Sequence, residues 1–294
     1  MMSPKFLILL FSFLLLGSSL ARVVPAQNQH QEELERGFIL PRDDKGPAIE
    51  VFRDESVRPS EETRKMKKDM DTWMWSALAK FDKEVTDGQM VQIVEDAFAS
   101  MVDRWSKEDI KGYGKPKVMT ALRKGNEVYI ASSAKGKHLI VYQSFDKKVD
   151  GIQGHVPKSL ANALTACWNN AQGDKEHHSN DANCGEIMTA WAYFVEKLDE
   201  GNSEDVNLKG AKTVTWELSL QEVEKDGEKV KERVGKIKPP CGNANDNKWG
   251  CHSVIQELGV EAIPEGTKGE KYDPPKELFQ RELLGTCKLK KQSK

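Results

Sequence analysis

Three cysteines and one glutamate stand where metal chemistry would need them. Asn183-Cys184-Gly185-Glu186 opens a helical pattern running through Ile187, Met188, Trp191, Ala192, Val195 and Leu198. Pro239-Pro240-Cys241 precedes Cys251, which opens another through Val254, Ile255 and Leu258. Zinc takes soft thiolates in tetrahedral geometry, and a catalytic zinc keeps three protein ligands and leaves its fourth position to water. A helix N-terminus favours the thiolate over the thiol, because its unpaired amides and dipole stabilise negative charge. Glu186, two residues past Cys184, falls in the first helical turn, where a carboxylate can reach a metal-bound water without binding the metal.

The elements that must hold these residues can be followed along the chain. Met66, Met70, Trp73, Met74, Ala77, Leu78 and Phe81 recur at three- and four-residue steps and predict a helix. Asp87-Gly88 breaks that run, and Met90 to Trp105 marks a second helix. Val118 to Leu122 and Glu127 to Ala131 flank Gly125-Asn126 as a hairpin does. A further strand is expected at Leu139 to Tyr142 and a helix from Ser159 to Asn169, followed by the Cys184 helix. Lys212 to Leu220 alternates as a strand, and a turn near Lys225 to Glu228 leads into another at Val230 to Ile237. This order reads as an α/β sandwich rather than a bundle or barrel.

The rest of the chain sets the context. Lys5, the apolar run Phe6 to Leu16 and Ser19-x-Ala21 form a secretory signal peptide over residues 1–21, too short in its apolar part to span a bilayer. Residues 22–60, with Pro25, Pro41, Pro47 and Pro59 and no sustained apolar period, read as a disordered leader. Residues 61–110 follow as N-terminal helices, 111–287 as the main domain and 288–294 as a basic tail. Of 294 residues 38% are hydrophobic and 31% charged, with mean hydropathy −0.61, which excludes a multi-span membrane protein. A net charge of −2 excludes a global field for nucleic acid or anionic lipid, leaving only local patches.

Five cysteines, Cys167, Cys184, Cys241, Cys251 and Cys287, survive signal removal. In an oxidising compartment they make two disulfides and a leftover thiol, or three metal thiolates and one disulfide. His177-His178 either lines a substrate mouth, closes a zinc site or sits in a polar loop. Trp249 either stacks on a base or packs on its own domain.

A Cys-x-Glu on one helix followed by Pro-Cys and a second Cys on the next resembles the signature of the zinc-dependent cytidine deaminase superfamily. The hairpin, helix, Cys-x-Glu helix, strand and Pro-Cys helix from Val118 to Gly259 also run in that family's order, and the lead helix at Ser159 looks like its secreted, toxin-type branch. The resemblance implies a three-layer α/β/α sandwich with an N-terminal helical extension. It implies one catalytic zinc ion (Zn2+) per chain on Cys184, Cys241 and Cys251, and Glu186 as general acid and base. The implied reaction is hydrolytic deamination of a cytosine or adenine base, in a nucleoside or nucleic acid, by a secreted effector with no membrane association after signal removal. Cys167 and Cys287 would then form the disulfide, unless Cys167 is a buried thiol.

The chain departs from the family at Gly242 to Gly250, nine residues where two to four separate the last two cysteines. That insert can loop out and return Cys251 to the metal, or let Cys241 and Cys251 form a disulfide. The second choice fits an inactive deaminase-fold binding protein. A structural zinc whose fourth ligand is Cys167 or a His is the third possibility.

Overall fold

The computed structural model describes residues 49–59, 61–66, 71–108, 110, 112–136, 140–142, 154–171, 178–201, 206–225, 228–242, 249–284 and 288–289. The signal-peptide segment, the leader as far as residue 48, His177 and Cys287 lie outside them.

The elements in chain order are β1 (Phe52–Arg53), α1 (Glu61–Met66), β2 (Thr72–Trp73), β3 (Trp75–Lys80), α2 (Asp87–Lys107), β4 (Val118–Lys124), β5 (Glu127–Ser132), β6 (Lys135–Gly136) and α3 (Lys158–Asn170). They continue with α4 (Gly185–Asp199), β7 (Lys212–Lys225), β8 (Glu228–Lys238), α5 (Cys251–Glu257), β9 (Glu261–Ala262), β10 (Glu277–Gln280) and β11 (Lys288–Leu289). The fold is mixed α/β with one large sheet, ordered β11-β10-β3-β5-β4-β7-β8. β1 also pairs with β3, and all these ladders are antiparallel, whereas β9 joins β7 in parallel.

Side-chain alternation divides the core in two. Leu78, Leu122, Tyr129 and Ala131 share one apolar cluster with Leu160 and Leu164 of α3, Ile187 and Trp191 of α4, and Val254 and Ile255 of α5. Their strand neighbours Ala77, Ala79, Ala121, Val128 and Ile130 share another with Met90, Val94, Phe98 and Met101 of α2. Strand residues thus alternate between two apolar surroundings. Each fully buried Leu or Ile contributes about 1.5–3 kcal/mol of transfer free energy.

α2 begins where the sequence suggests a break. Thr86 Oγ1 accepts from the Gln89 backbone N–H (3.1 Å), and Gln89 Oε1 accepts from the Thr86 N–H (2.9 Å), a reciprocal capping box that makes Asp87-Gly88 the first helical residues. The β4–β5 hairpin, α3, α4, the β7–β8 hairpin and α5 form where the pattern predicts them. At Leu139 to Tyr142 only an isolated bridge at Tyr142 falls among the described residues.

The helix expected over Met66 to Phe81 is replaced, past α1, by strands β2 and β3. Trp75 to Ala79 are all buried, because β3 lies inside the sheet between β10 and β5. A strand buried on both faces loses its alternation, and its apolar run then matches a helical spacing equally well. The leader also ends earlier than residue 60. Ile49, Val51 and Val57 are buried, β1 pairs with β3, and the buried Asp54 carboxylate accepts from Leu283 N–H at 2.8 Å. The sheet therefore joins strands from both sides of residue 110, and the basic tail begins as the edge strand β11.

Candidate metal centre

The site is assembled at one end of the sheet by four chain segments. Cys184 is the N-cap of α4, and its carbonyl accepts the first helical N–H groups, those of Ile187 and Met188, at 3.1 Å each. Gly185 lets that helix start lie directly on the sheet: a Cβ there would sit 2.2 Å from Thr120 Oγ1 and 3.2 Å from the Ala131 carbonyl oxygen. Glu186 is drawn in with it and is 5% exposed. Thr215 of β7 donates to Glu186 Oε1 at 2.9 Å, and Thr120 of β4 is hydrogen-bonded to Thr215 at 2.7 Å.

The nine-residue insert does not separate Cys241 from Cys251, because its ends touch. Gly242 has φ +74°, and a Cβ on it would meet Gly250 N at 2.4 Å. Across this neck the Cys251 N–H donates to Cys241 Sγ at 3.4 Å, and the His252 N–H to the Cys241 carbonyl at 2.9 Å. Cys251 is thereby the first residue of α5, as its pattern predicts.

His178 arrives by a left-handed turn. Asn180, Asp181 and Ala182 have φ of 61°, 52° and 56°, with Asp181 N–H bonded to the His178 carbonyl and Asn183 N–H to the Asn180 carbonyl, both at 2.9 Å. Asn and Asp tolerate this region, whereas Ala182 costs about 1–2 kcal/mol there. The turn carries the imidazole to the three sulfurs, and the edge of Trp249 packs on it at 5.2 Å and 86°.

One donor atom from each of His178, Cys184, Cys241 and Cys251 lies within 4.8 Å of the others, a group that could hold a metal ion. Cys184 Sγ and Cys241 Sγ are 3.6 Å apart. That is far beyond the ~2.05 Å of a disulfide and near the ~3.8 Å separating two sulfurs on one tetrahedral zinc with Zn–S of ~2.3 Å. All four described cysteines are free, so Cys241 and Cys251 do not form a disulfide, while Cys287, the expected partner of Cys167, lies outside the described residues. Cys167 lies in the α3 core, where burial raises its thiol to about 11, and takes no part in the cluster.

The electrostatics fit a cation. Cys184 and Cys251 hold Cys241 well below the ordinary thiol value by directing S–H groups at its sulfur. Cys184 is raised well above that value by its contact with Cys241, and Cys251 by burial and then by both neighbouring sulfurs. The three sulfurs thus oppose one another's ionisation, and a dication would let all three ionise together. Glu186 is also raised, by burial first, with Cys241 adding and Thr215 opposing. A buried carboxyl raised in this way is of the kind that general acid–base sites use.

His178 and Cys251 are buried at the back of the cluster, 1% and 0% exposed. Cys184, Cys241 and Glu186 face a cavity of about 380 Å³, as do Ser133, Asn183 and Thr215. The Ser133 Oγ and Asn183 Oδ1 atoms are buried with no hydrogen-bond partner. The four residues expected from the sequence, Cys184, Glu186, Cys241 and Cys251, are brought together here. His178, left open between three readings, joins them, while Trp249 is buried against the domain and His252 acts through its backbone. The polar cavity residues have a faint sequence signal, since Thr215 occupies a polar position of the alternating β7 pattern. No helix among the described residues is long and apolar enough to cross a membrane. Compared with protein-family models, with curated proteins and with solved structures, the chain matches none.

Proposed function

We propose that the protein is a secreted zinc-dependent hydrolase that removes the amino group from a cytosine or adenine base, on a three-layer sandwich like that of the cytidine deaminases. One observation carries this reading: a buried carboxyl, Glu186, and two of the clustered sulfurs face a single cavity. The pair of apolar clusters fed by alternate strand residues supports the layered architecture.

Cys184, Cys241 and Cys251 would hold the ion, with His178 withdrawn to leave a position for water, and zinc when bound would supply a Lewis acid that lowers the pKa of water. The chain's own residues do the rest. Burial raises the Glu186 carboxyl, and Thr215, fixed by Thr120, aims its Oε1. In this reading the carboxylate takes a proton from the attacking water and returns it to the departing amine, so that ammonia leaves. Ser133 Oγ and Asn183 Oδ1 offer polar contacts to the base edge.

His178 favours a second reading. Three sulfurs and an imidazole complete a tetrahedron, which is the donor set of structural zinc, so the deaminase reading requires His178 to withdraw through the Asn180–Ala182 turn.

Ammonia release from nucleosides, nucleotides and oligonucleotides, measured beside metal content, separates the two. Glu186→Gln should keep its zinc and lose about 100-fold or more in rate. Wild-type turnover by that variant would overturn the assigned role. A fully zinc-loaded wild type that releases no ammonia from the panel would leave the structural reading.

A further inference from the structure

The mouth of the cavity that Glu186 faces is basic. Lys117, just ahead of β4, Lys135 of β6 and Lys238 at the end of β8 all line it, together with the opposing carboxylate of Asp181. They come from three separate segments, so no single charged stretch of sequence accounts for their meeting. Lys135 is half-buried, and its charged form is disfavoured by burial and then by repulsion from Lys117 and Lys238. Lys238 is held by Glu217 at 2.5 Å and Lys117 is exposed. Like charges gathered on a partly desolvated mouth are a poor arrangement for stability alone and a good one for an anion. The chain as a whole has a net charge of −2, so the concentration of lysine here is local.

Beside the lysines the cavity changes character. Ser133 Oγ and Asn183 Oδ1, from the same lining, are buried and without hydrogen-bond partners. Ser133 as a residue is only 7% exposed. A ligand that satisfied both parts would be anionic at one end and would carry hydrogen-bonding groups at the other.

We infer that the cavity binds a phosphate-bearing nucleotide unit, its phosphate on Lys117, Lys135 and Lys238 and its base on Ser133, Asn183 and Glu186. The placement of the base rests on the deaminase reading, while the charge argument for phosphate stands apart from it. The unit is either a free mononucleotide or one residue of a single strand, since both present the same phosphate.

Binding to the protein purified without chelator tests this with no need for turnover. Fluorescence anisotropy of a labelled single-stranded oligonucleotide is titrated from 50 to 200 mM salt, and CMP, AMP, cytidine and adenosine are compared by calorimetry. For a strand held by three lysines the slope of log K on log salt is about −2, a loss of about 20-fold over that range. Lys135→Ala should flatten the slope by about 0.7 and weaken binding about tenfold, Lys117→Glu should weaken it further, and Lys135→Arg should restore it. Lys231→Glu, on β8 outside the cavity, should change neither. Monophosphates that bind tenfold or more tightly than nucleosides, with no oligonucleotide binding, support the free-nucleotide source. Nucleosides that bind as well as their monophosphates, or rim variants that leave affinity and slope unchanged, would overturn the inference. The same titrations on Glu186→Gln keep the two readings apart. Lysine-dependent phosphate binding without ammonia release by the wild type would retain this assignment and remove the deaminase one.

Discussion

Gly185→Ala is a substitution whose sign the structure decides. In an ordinary helix interior the change gains about 1 kcal/mol of propensity, and less at a first helical position. Here the new Cβ would lie 2.2 Å from Thr120 Oγ1, 2.8 Å from Thr120 Cβ and 3.2 Å from the Ala131 carbonyl oxygen. Neither neighbour can give way easily: Thr120 is short, stiff and buried, and Ala131 O is backbone in β5. The start of α4 must therefore lift by roughly 1 Å to regain ordinary contact. Overpacking of this kind costs about 1–3 kcal/mol, and a Thr120 turned aside loses its bond to Thr215, about 1 kcal/mol more. The net expectation is a loss of about 1–3 kcal/mol in urea unfolding. Because metal–ligand distances tolerate only about 0.2 Å, the lift would also take Cys184 out of reach of an ion held by the cluster, and zinc affinity in a chelator competition should fall at least tenfold. Adding Thr120→Ala should recover part of both losses, a positive coupling in the double-mutant cycle. A Gly185→Ala protein as stable as wild type, with unchanged zinc affinity, would refute the placement of α4 on the sheet.

The cluster and the N-terminal segment each give a further test. His178→Ala should weaken zinc or cobalt binding by no less than the roughly 10–100-fold that loss of an outer-shell partner produces, and should change the d–d bands of the cobalt-substituted protein. Identical spectra would show that the imidazole is not a ligand. Asp54, buried, accepts from the Ser56 N–H at 2.9 Å, the Ser56 hydroxyl at 2.5 Å and the Leu283 N–H at 2.8 Å. Burial pushes its carboxyl from 3.8 up to about 6 against those bonds. A folded pKa above the unfolded one means stability that is present in full below about pH 4 and lost as pH rises through about 6, some 3 kcal/mol at 1.36 kcal/mol per unit. The difference in unfolding free energy between wild type and Asp54→Asn should shift by that order between pH 4 and 7, and a flat difference would contradict the burial.

The candidate metal cluster was more legible in the sequence than the fold around it. Cys184, Glu186 and Cys251 announce themselves because each starts or follows the start of a helix whose apolar face is regular, and α4 and α5 form there. Trp75 to Ala79 misled for the opposite reason, since burial on both sides erased the alternation that marks a strand. Ile49 and Val51 were too few to outweigh a polar, Pro-rich neighbourhood, although the alternation that buries both was already there. His178 carried no periodic signal at all. What delivers it is backbone conformation, and Asn180-Asp181 is the only trace such a turn leaves in residue types. The support behind the cavity residue Thr215 was hidden because Thr120 and Thr215 are distant in sequence and meet only through the β4–β7 register.

The closed neck between Gly242 and Gly250 has a consequence for how this chain could be rebuilt. Because the two ends are pinned together by the Cys241 and His252 backbone, the number of residues between them is uncoupled from the distance between the sulfurs. Closing a longer loop across a fixed gap costs only about 0.6 kcal/mol for each doubling of its length. The neck therefore acts as a splice port. A reporter peptide or a small domain grafted between residues 243 and 248 would share two glycines with the metal cluster, and metal binding there would tie the ends of the graft together.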